Sequence, residues 1–303
     1  MVLTTAPLGL LLLAGFCLSQ HFGYDENDGP STWPENFPMC SGKNQSPINI
    51  NDKTVKTENM PPLEICGPNK KYSMTVVNNG HTIMLKSSES SDNLPRAMGG
   101  PLGNSTFRFE QLHFHWGKDD SEGSETTINN RSFPMEMHAV FVNEKYETMD
   151  NALNYPDGLT VLGYLFDVSS SNKILEPIVK VSRVLDEKEE KISKFDLPAL
   201  LKPNSGYYTY AGSLTTPPCT EAVIWIVFKM PKYLSRNQLS AFRMIKTSDG
   251  NDMTHNFRPP QPLNDRLVRQ NIPKRRNSGQ CSKRLPSPWM AMQTILGIFL
   301  FAV

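Results

Sequence analysis

Two histidines one residue apart carry the clearest chemical signal in this sequence. They lie in Gln111-Leu112-His113-Phe114-His115-Trp116-Gly117, a segment whose composition is typical of a β-strand. Side chains two residues apart on a strand project from the same face, so His113 and His115 can share a metal ion. His138 lies in another alternating segment, Glu136-Met137-His138-Ala139-Val140. If the two strands pair, three imidazoles can bind zinc and leave one open position, as in catalytic sites.

Side chains that can accept a hydrogen bond lie close in sequence to two of the candidate histidine ligands. Such an imidazole donates its second ring N–H to an acceptor, and Gln111 lies two residues before His113 while Glu136 lies two before His138. A buried glutamate without a partner is costly, so donation from His138 explains Glu136 in a hydrophobic strand. An H-x-H pair alone is a weak signal, because a histidine on an apolar strand is more often a hydrogen-bonded core residue.

Hydroxyl groups are concentrated between Tyr207 and Cys219, a segment that we interpret as a loop stiffened by Pro217 and Pro218. A fixed threonine hydroxyl there could accept the hydrogen of a zinc-bound hydroxide and pass its own proton to a carboxylate. Glu125 is a candidate for that carboxylate. On its own, such a segment is more often a surface turn.

The elements that must position these groups are mainly strands. The hydrophobic pattern predicts strands at Met74 to Val77, Thr82 to Lys86, Phe107 to Trp116, Met135 to Val142, Val161 to Val168 and Ala222 to Lys229. Within the third, Phe107 and Phe109 should share a face with the two histidines, opposite Leu112, Phe114 and Trp116. Apolar residues on both faces indicate a strand in the middle of a sheet.

Helical periodicity is brief. A stripe from Leu175 to Leu185 precedes a charged run, Asp186 to Lys191, that we interpret as a solvated face, and Ser235 with Gln238 forms a capping box. Residues 20–43 should form an ordered arm without regular structure. No repeat or flexible linker divides the chain between Lys43 and Leu263, which favours a single mixed domain with a large sheet.

The charge balance indicates no nucleic-acid partner. The net charge of the 303 residues is +1, and the one basic cluster follows the last patterned segment. The sequence indicates no oligomeric state.

Both ends resemble processing signals. Residues 1–19 contain an apolar run, Leu8 to Leu18, and end in a cleavage pattern after Ser19, although no Lys or Arg precedes the run. The apolar stretch from Trp289 to Val303 is too short to span a membrane comfortably. Together with small residues at Asn277 and Ser278 and a polar spacer, it matches the signal for a glycosylphosphatidylinositol (GPI) anchor. The alternative is an amphipathic tail.

Cysteines and acceptor sequences suit an oxidising compartment. Processing would remove Cys17 and Cys281 and leave an odd number, Cys40, Cys66 and Cys219. Asn104 and Asn130 begin N-glycosylation sequences.

Taken together, the motifs resemble those of alpha-class carbonic anhydrases of the secreted or GPI-anchored kind. The resemblance extends from about Tyr24 to Leu263 and rests on six segments: residues 42–50, 78–81, 111–117, 136–138, 213–218 and 256–263. It implies an α+β fold, a single domain on a large, mostly antiparallel twisted central β-sheet with short peripheral helices. The expected organisation is a signal peptide at 1–19, a catalytic domain at 20–270, and a spacer with the anchor signal at 271–303.

The resemblance also implies residue roles. One zinc ion per chain would be held by His113, His115 and His138, with Gln111, Glu136 and Asn256 orienting these ligands. Thr215 matches the gatekeeping hydroxyl and Glu125 its carboxylate, while His81 matches the proton shuttle, a role that suits an imidazole near neutral pH. The residues that match the substrate pocket are Val140, Val161, Leu214, Thr216, Val223, Trp225, Tyr24 and Asn79.

The implied reaction is reversible hydration of carbon dioxide to bicarbonate by a zinc-bound hydroxide. The alternative is a catalytically silent binding module, although such relatives typically lack a ligand histidine. Three departures are visible: Thr126 stands where many relatives have histidine, and Met84 and Met149 stand at positions that are often polar or aromatic. Cys40 and Cys219 match the disulfide of extracellular members, while Cys66 has no counterpart.

Overall fold

The computed structural model describes residues 22–182, 189–203 and 205–271. The strands are β1 (Asn49–Ile50), β2 (Lys56–Thr57), β3 (Leu63–Cys66), β4 (Tyr72–Asn78), β5 (Ile83–Ser87), β6 (Arg96–Gly99), β7 (Thr106–Trp116), β8 (Thr127–Ile128), β9 (Met135–Asn143), β10 (Leu159–Val168), β11 (Glu189–Phe195), β12 (Tyr207–Gly212), β13 (Val223–Phe228), β14 (Lys232–Leu234) and β15 (Arg269–Asn271). The α-helices are α1 (Trp33–Asn36), α2 (Met149–Ala152), α3 (Glu176–Ser182), α4 (Leu197–Leu201) and α5 (Arg236–Arg243). Short 3-10 helices span Pro38–Ser41, Ser91–Asn93, Gly100–Leu102 and Glu144–Tyr146.

One large mixed sheet organises these elements. Its main path runs in the order β11-β4-β5-β7-β9-β10-β13-β12-β15-β2, with β6 and β3 added beside β7 and β14 beside β10. Most neighbouring strands in the described part are antiparallel. Within the large sheet, β10 with β13, β10 with β14, and β15 with β2 are parallel, and β1 with β8 form a separate parallel pair. The predicted α+β class, with a single domain on a mostly antiparallel sheet, is confirmed.

Two hydrophobic clusters cover opposite faces of the central strands. Along β9, Met137 and Phe141 belong to one cluster while Val140 and Val142 belong to the other. Because alternate residues of a strand face opposite sides, the clusters lie on the two sides of the sheet. All nine residues of β9 are buried, as expected for a strand covered on both faces. His138 therefore shares the face of Val140.

The predicted strands are present, but one face assignment in β7 was wrong. Phe109 pairs with Phe141 and Gln111 pairs with Val140, so Glu110 is an extra residue in a β-bulge. The extra residue reverses the alternation, and Phe107 and Phe109 lie in the cluster that holds Leu112, Phe114 and Trp116. Only the part of β7 after the bulge presents Gln111 and the two histidines on the other face.

The segment Tyr207 to Cys219 is also not a loop throughout. Residues 207–212 form β12, which pairs with β13 along its whole length, and the loop begins at Ser213. Part of the charged run is the edge strand β11, whose side chains are mostly exposed. The N-terminal arm contains α1 and a 3-10 turn, and the Trp33 indole N–H donates to the carbonyls of Gly23 and Asp28 at 3.1 and 3.0 Å.

The structure contains two further predicted features. The Ser235 and Gln238 capping box begins α5, and Cys40 is bonded to Cys219 across a Cα–Cα distance of 4.9 Å. Across the described stretches, every helix is too short or too polar to traverse a bilayer. The signal peptide, the anchor signal with Asn277 and Ser278, Cys17 and Cys281 lie outside the described residues.

Candidate metal centre

Three histidines on neighbouring strands form the centre of the site. His113 and His115 extend from β7 and His138 from β9, and one nitrogen of each lies within 4.8 Å of the others. The strand register brings them together, because His113 is directly opposite His138. His115 and His138 are 1% exposed, which shields the site from bulk water.

The second nitrogen of each ring has an acceptor. His113 Nδ1 lies 2.9 Å from Gln111 Oε1, His115 Nδ1 lies 2.8 Å from the Asn256 carbonyl, and His138 Nε2 lies 3.0 Å from Glu136 Oε1. With those nitrogens protonated, the remaining lone pairs are on Nε2 of His113, Nε2 of His115 and Nδ1 of His138. Gln111, Glu136 and Asn256 thus each lie within hydrogen-bonding distance of one of the three rings.

Burial keeps two of these rings neutral. It lowers the pKa of His113 and of His115 well below the usual 6.5, and the neighbouring histidines lower it further. A neutral imidazole offers the lone pair that a metal ligand needs.

The donor set fits zinc. His115 Nε2 is fully buried and has no hydrogen-bond partner among the described residues, although an unsatisfied buried polar atom is costly. A metal ion bound by the three nitrogens accounts for this atom. Three imidazoles are a ligand set of catalytic zinc sites, which keep a fourth position open.

A buried carboxylate lies next to the histidines. Glu125 Oε1 accepts the backbone N–H of Arg258 at 2.9 Å, and a hydrogen bond with the Thr215 hydroxyl also stabilises the carboxylate. Burial outweighs both and raises the pKa of Glu125 to about 7. Its oxygens lie 3.3 Å from His115 Nδ1 and 3.8 Å from His138 Nδ1. The structure thus brings Thr215 and Glu125 together beside the metal ligands.

His81 lies at the edge of the site, in the turn after β4. The Asn79 side-chain oxygen accepts the backbone N–H groups of His81 and Thr82 at 3.1 and 2.9 Å, which fixes this turn. The His81 ring stacks on Phe22 with ring centroids 4.0 Å apart. Both rings line a cavity of about 70 Å³ together with Tyr24 and His255. His81 is thus partly exposed on this cavity.

Tyr24 connects the arm to this region. Burial and the nearby Glu125 charge raise the pKa of its hydroxyl well above 10.0, and its backbone carbonyl lies 3.1 Å from His255 Nε2. Its ring makes an edge contact with Trp33.

The apolar residues predicted to line the pocket form a row across three strands. Val140, Val161 and Trp225 are successive cross-strand neighbours on β9, β10 and β13. They pack in one cluster with Val223 and the partly buried Leu214. The Trp225 ring lies 4.8 Å from the His138 ring, so this apolar wall borders the ligands directly. Thr216 is partly buried, and its carbonyl accepts the Cys219 N–H at 2.9 Å.

Met84 and Met149, the two methionines at unusual positions for the family, lie in different parts of the structure. Met84 pairs across the strands with His113 and is partly exposed, while Met149 packs against the cluster of the apolar wall.

Sequence reasoning missed three contributors to the site. Besides its backbone contact with Glu125, Arg258 donates to Gln45, Ser46 and Cys40, and no local pattern reveals this. Gly163 lies opposite His138, and a Cβ there would meet Glu136 Oε1 at 3.1 Å. Thr126, visible only as a departure, contacts both oxygens of Glu136.

Comparisons with known proteins agree with this arrangement. Residues 28–272 match the model of a family described as eukaryotic-type carbonic anhydrase. The chain is 40% identical over 262 residues to carbonic anhydrase 7 of Mus musculus, covering 82% of this chain and 96% of the relative. It is 38% identical over 256 residues to carbonic anhydrase 7 of Homo sapiens, with the same two coverages.

Proposed function

The chain belongs to the eukaryotic-type carbonic anhydrase family, and we propose that it catalyses reversible hydration of carbon dioxide to bicarbonate and a proton. The observation that carries this proposal is the three-histidine centre, with each second ring nitrogen held by an acceptor. His113, His115 and His138 would hold zinc, which would lower the pKa of a bound water to about 7, the general value for carbonic anhydrases, and would supply a hydroxide nucleophile near neutral pH.

Thr215 and Glu125 give the nucleophile its orientation. The Thr215 hydroxyl donates its hydrogen to Glu125, and the Arg258 backbone N–H holds that carboxylate in place. The lone pairs of Thr215 are then left to accept a hydrogen bond from the nucleophile. A nucleophile held in this way directs a lone pair toward the substrate, which is the benefit of positioning in catalysis.

The apolar wall provides the place for carbon dioxide. Val140, Val161 and Trp225 lie in adjacent positions beside the ligands, and their aliphatic and ring carbons offer no hydrogen bond to the uncharged substrate. Such a surface favours an apolar molecule over water. Carbon dioxide and bicarbonate are therefore the proposed substrate pair.

His81 is the proposed proton shuttle. Each turnover leaves a proton that must reach solvent, and His81 lines a cavity. Asn256 connects His81 to the site, because its side-chain amide donates to the His81 carbonyl and its own carbonyl lies 2.8 Å from His115 Nδ1. An imidazole can accept and release a proton near neutral pH. Tyr24, whose raised pKa keeps its hydroxyl protonated, and Asn79 are proposed to order water in this region.

Removal and return of the metal test the proposed reaction. The purified protein should hydrate carbon dioxide in a stopped-flow indicator assay, lose this activity after chelation, and regain it with about one zinc per chain. Hydration no faster than buffer in the zinc-loaded protein would instead indicate a silent binding module.

We further propose that the enzyme acts outside the cell. The Cys40–Cys219 disulfide suits an oxidising compartment, and Asn104 and Asn130 are exposed, as glycan acceptors must be. The proposed mature chain begins at Gln20 and carries a lipid anchor at Asn277 or Ser278. Release of activity from membranes by a glycolipid-specific phospholipase would support the anchor, and activity retained on the membrane would count against it.

A further inference from the structure

We propose that Thr126 is a positioning residue of the metal centre, which orients the His138 ring by holding the Glu136 carboxylate at two points. This inference rests on the proposed zinc site. It gives Thr126 a function in metal retention. The position of Thr126 next to Glu125 in the sequence does not reveal this function.

The contacts between Thr126 and Glu136 are short and buried. The Thr126 backbone N–H donates to Oε2 at 2.7 Å, and its hydroxyl donates to Oε1 at 3.0 Å. Both residues are 0% exposed. Thr126 is therefore the donor in both contacts, and Glu136 accepts one hydrogen bond from it at each oxygen.

One oxygen of Glu136 serves both Thr126 and the metal ligand. Oε1 accepts the Thr126 hydroxyl and also lies 3.0 Å from His138 Nε2. On the opposite side, a Cβ on Gly163 would lie only 3.1 Å from the same oxygen, so the backbone of β10 is close. The carboxylate is thus confined between β10 and Thr126, and its rotation would turn the His138 ring away from the other two ligands.

Thr126 itself is rigidly placed. Its carbonyl accepts the Ser124 hydroxyl at 2.7 Å, and that hydroxyl oxygen accepts the Phe133 N–H at 2.9 Å. The next residue, Thr127, pairs with β1. Glu125 directly precedes Thr126 in this segment. The segment therefore carries one carboxylate of the site, Glu125, and binds the other, Glu136, through Thr126.

Removal of the hydroxyl tests this proposal through metal release. In the zinc-loaded full-length protein, Thr126→Val keeps the backbone bond to Oε2 but loses the bond to Oε1. We expect zinc transfer to an excess of chelator, followed with a metallochromic dye, to become about 10-fold faster or more, the usual effect of losing a group that orients a ligand. Thr126→Ser retains the hydroxyl and should restore a rate close to that of the wild type.

Thr160→Val is the matched control. Thr160 is also 0% exposed and its hydroxyl donates to the Ile224 carbonyl at 2.8 Å, but its register position is opposite Phe141 rather than a ligand. A general loss of stability would affect both valine variants, whereas the positioning function affects only Thr126→Val. If that variant does not fold, Thr126→Ala takes its place.

A double-mutant comparison separates positioning from packing. In a Glu136→Gln background, Thr126→Val should add little further acceleration, since both changes act through the same carboxylate. Zinc release from Thr126→Val at the wild-type rate, or equal acceleration in the Val and Ser variants, would overturn the proposal. These outcomes concern metal release alone, so they are distinct from a failure to hydrate carbon dioxide.

Discussion

His113 on β7 and His138 on β9 are direct cross-strand partners, and their ring centroids lie 5.3 Å apart. The register of two antiparallel strands therefore completes the ligand set. A slip by one residue would place His138 on the opposite face of the sheet, in the cluster that contains Met137. The metal centre is thus a property of strand pairing as well as of residue type.

The Thr215 hydroxyl should be essential for rapid hydration, because we propose that it orients the nucleophile while donating to Glu125. We expect Thr215→Val to lower kcat/KM about 100-fold, the loss typical of removing one positioned hydrogen-bonding group. Thr215→Ser should retain most of the rate. Stopped-flow hydration assays at equal zinc content provide the comparison, and equal rates for the Val and wild-type proteins would contradict the assignment.

Loss of the His81 side chain should slow turnover when the buffer is weak. We expect His81→Ala to reduce kcat about 10- to 100-fold, with little change in kcat/KM. A loss of this size is at the lower end of the usual contribution of a group that transfers a proton, or below it. Added imidazole should restore part of the rate because it carries the proton in place of the missing side chain. An unchanged kcat in weak buffer would remove the shuttle assignment.

The Cys40–Cys219 bond should stabilise the fold by joining segments that are 179 residues apart in sequence. Replacing both cysteines by alanine should lower the free energy of unfolding by about 2–5 kcal/mol, measured by urea denaturation. Reductant should destabilise the wild-type protein more than the double variant, because only the wild type has the Cys40–Cys219 bond to lose. A similar response of both proteins to reductant would contradict a stabilising function for this bond.

Lys232 should destabilise the protein at neutral pH. Its ammonium lies over the Tyr164 ring, and burial lowers its pKa from 10.5 to about 8. Between these values the unfolded chain binds more protons than the folded one, so this contribution to stability rises with pH. We expect Lys232→Met to be more stable than the wild type below pH 8, with a difference that shrinks toward pH 10.5.

Urea denaturation at pH 7 and pH 10 checks the Lys232 prediction. Lys118→Met is the control, because the Lys118 side chain is 67% exposed and lacks the burial on which this prediction depends. A stability difference for Lys232→Met that does not vary with pH would contradict the burial argument.

Local pattern was sufficient to predict the ligands and most strands. The alternation around His113, His115 and His138 is a property of a few neighbouring residues, and so are their acceptors Gln111 and Glu136. The capping box of α5 is equally local, and the structure contains it. Features of this kind depend on spacing along the chain, which the sequence displays directly.

Features that depend on distant contacts could not be predicted in the same way. The bulge at Glu110 depends on how β7 pairs with β9, and it moved Phe107 and Phe109 to the other face. Arg258 reaches Gln45 across 213 positions of sequence, a contact that no local window contains. The strand at Tyr207–Gly212 resembled a loop because of its hydroxyl-rich composition, but pairing with β13 determined its structure.

The zinc content of purified protein tests the central claim most directly. Metal analysis of the wild type, His138→Ala and His255→Ala compares loss of a proposed ligand with loss of a histidine that lies near the site but outside the triad. We predict about one zinc per chain in the wild type and in His255→Ala, and about a tenth of that or less in His138→Ala. Wild-type protein without zinc under metal-replete conditions, or His138→Ala with a full zinc content, would contradict the account.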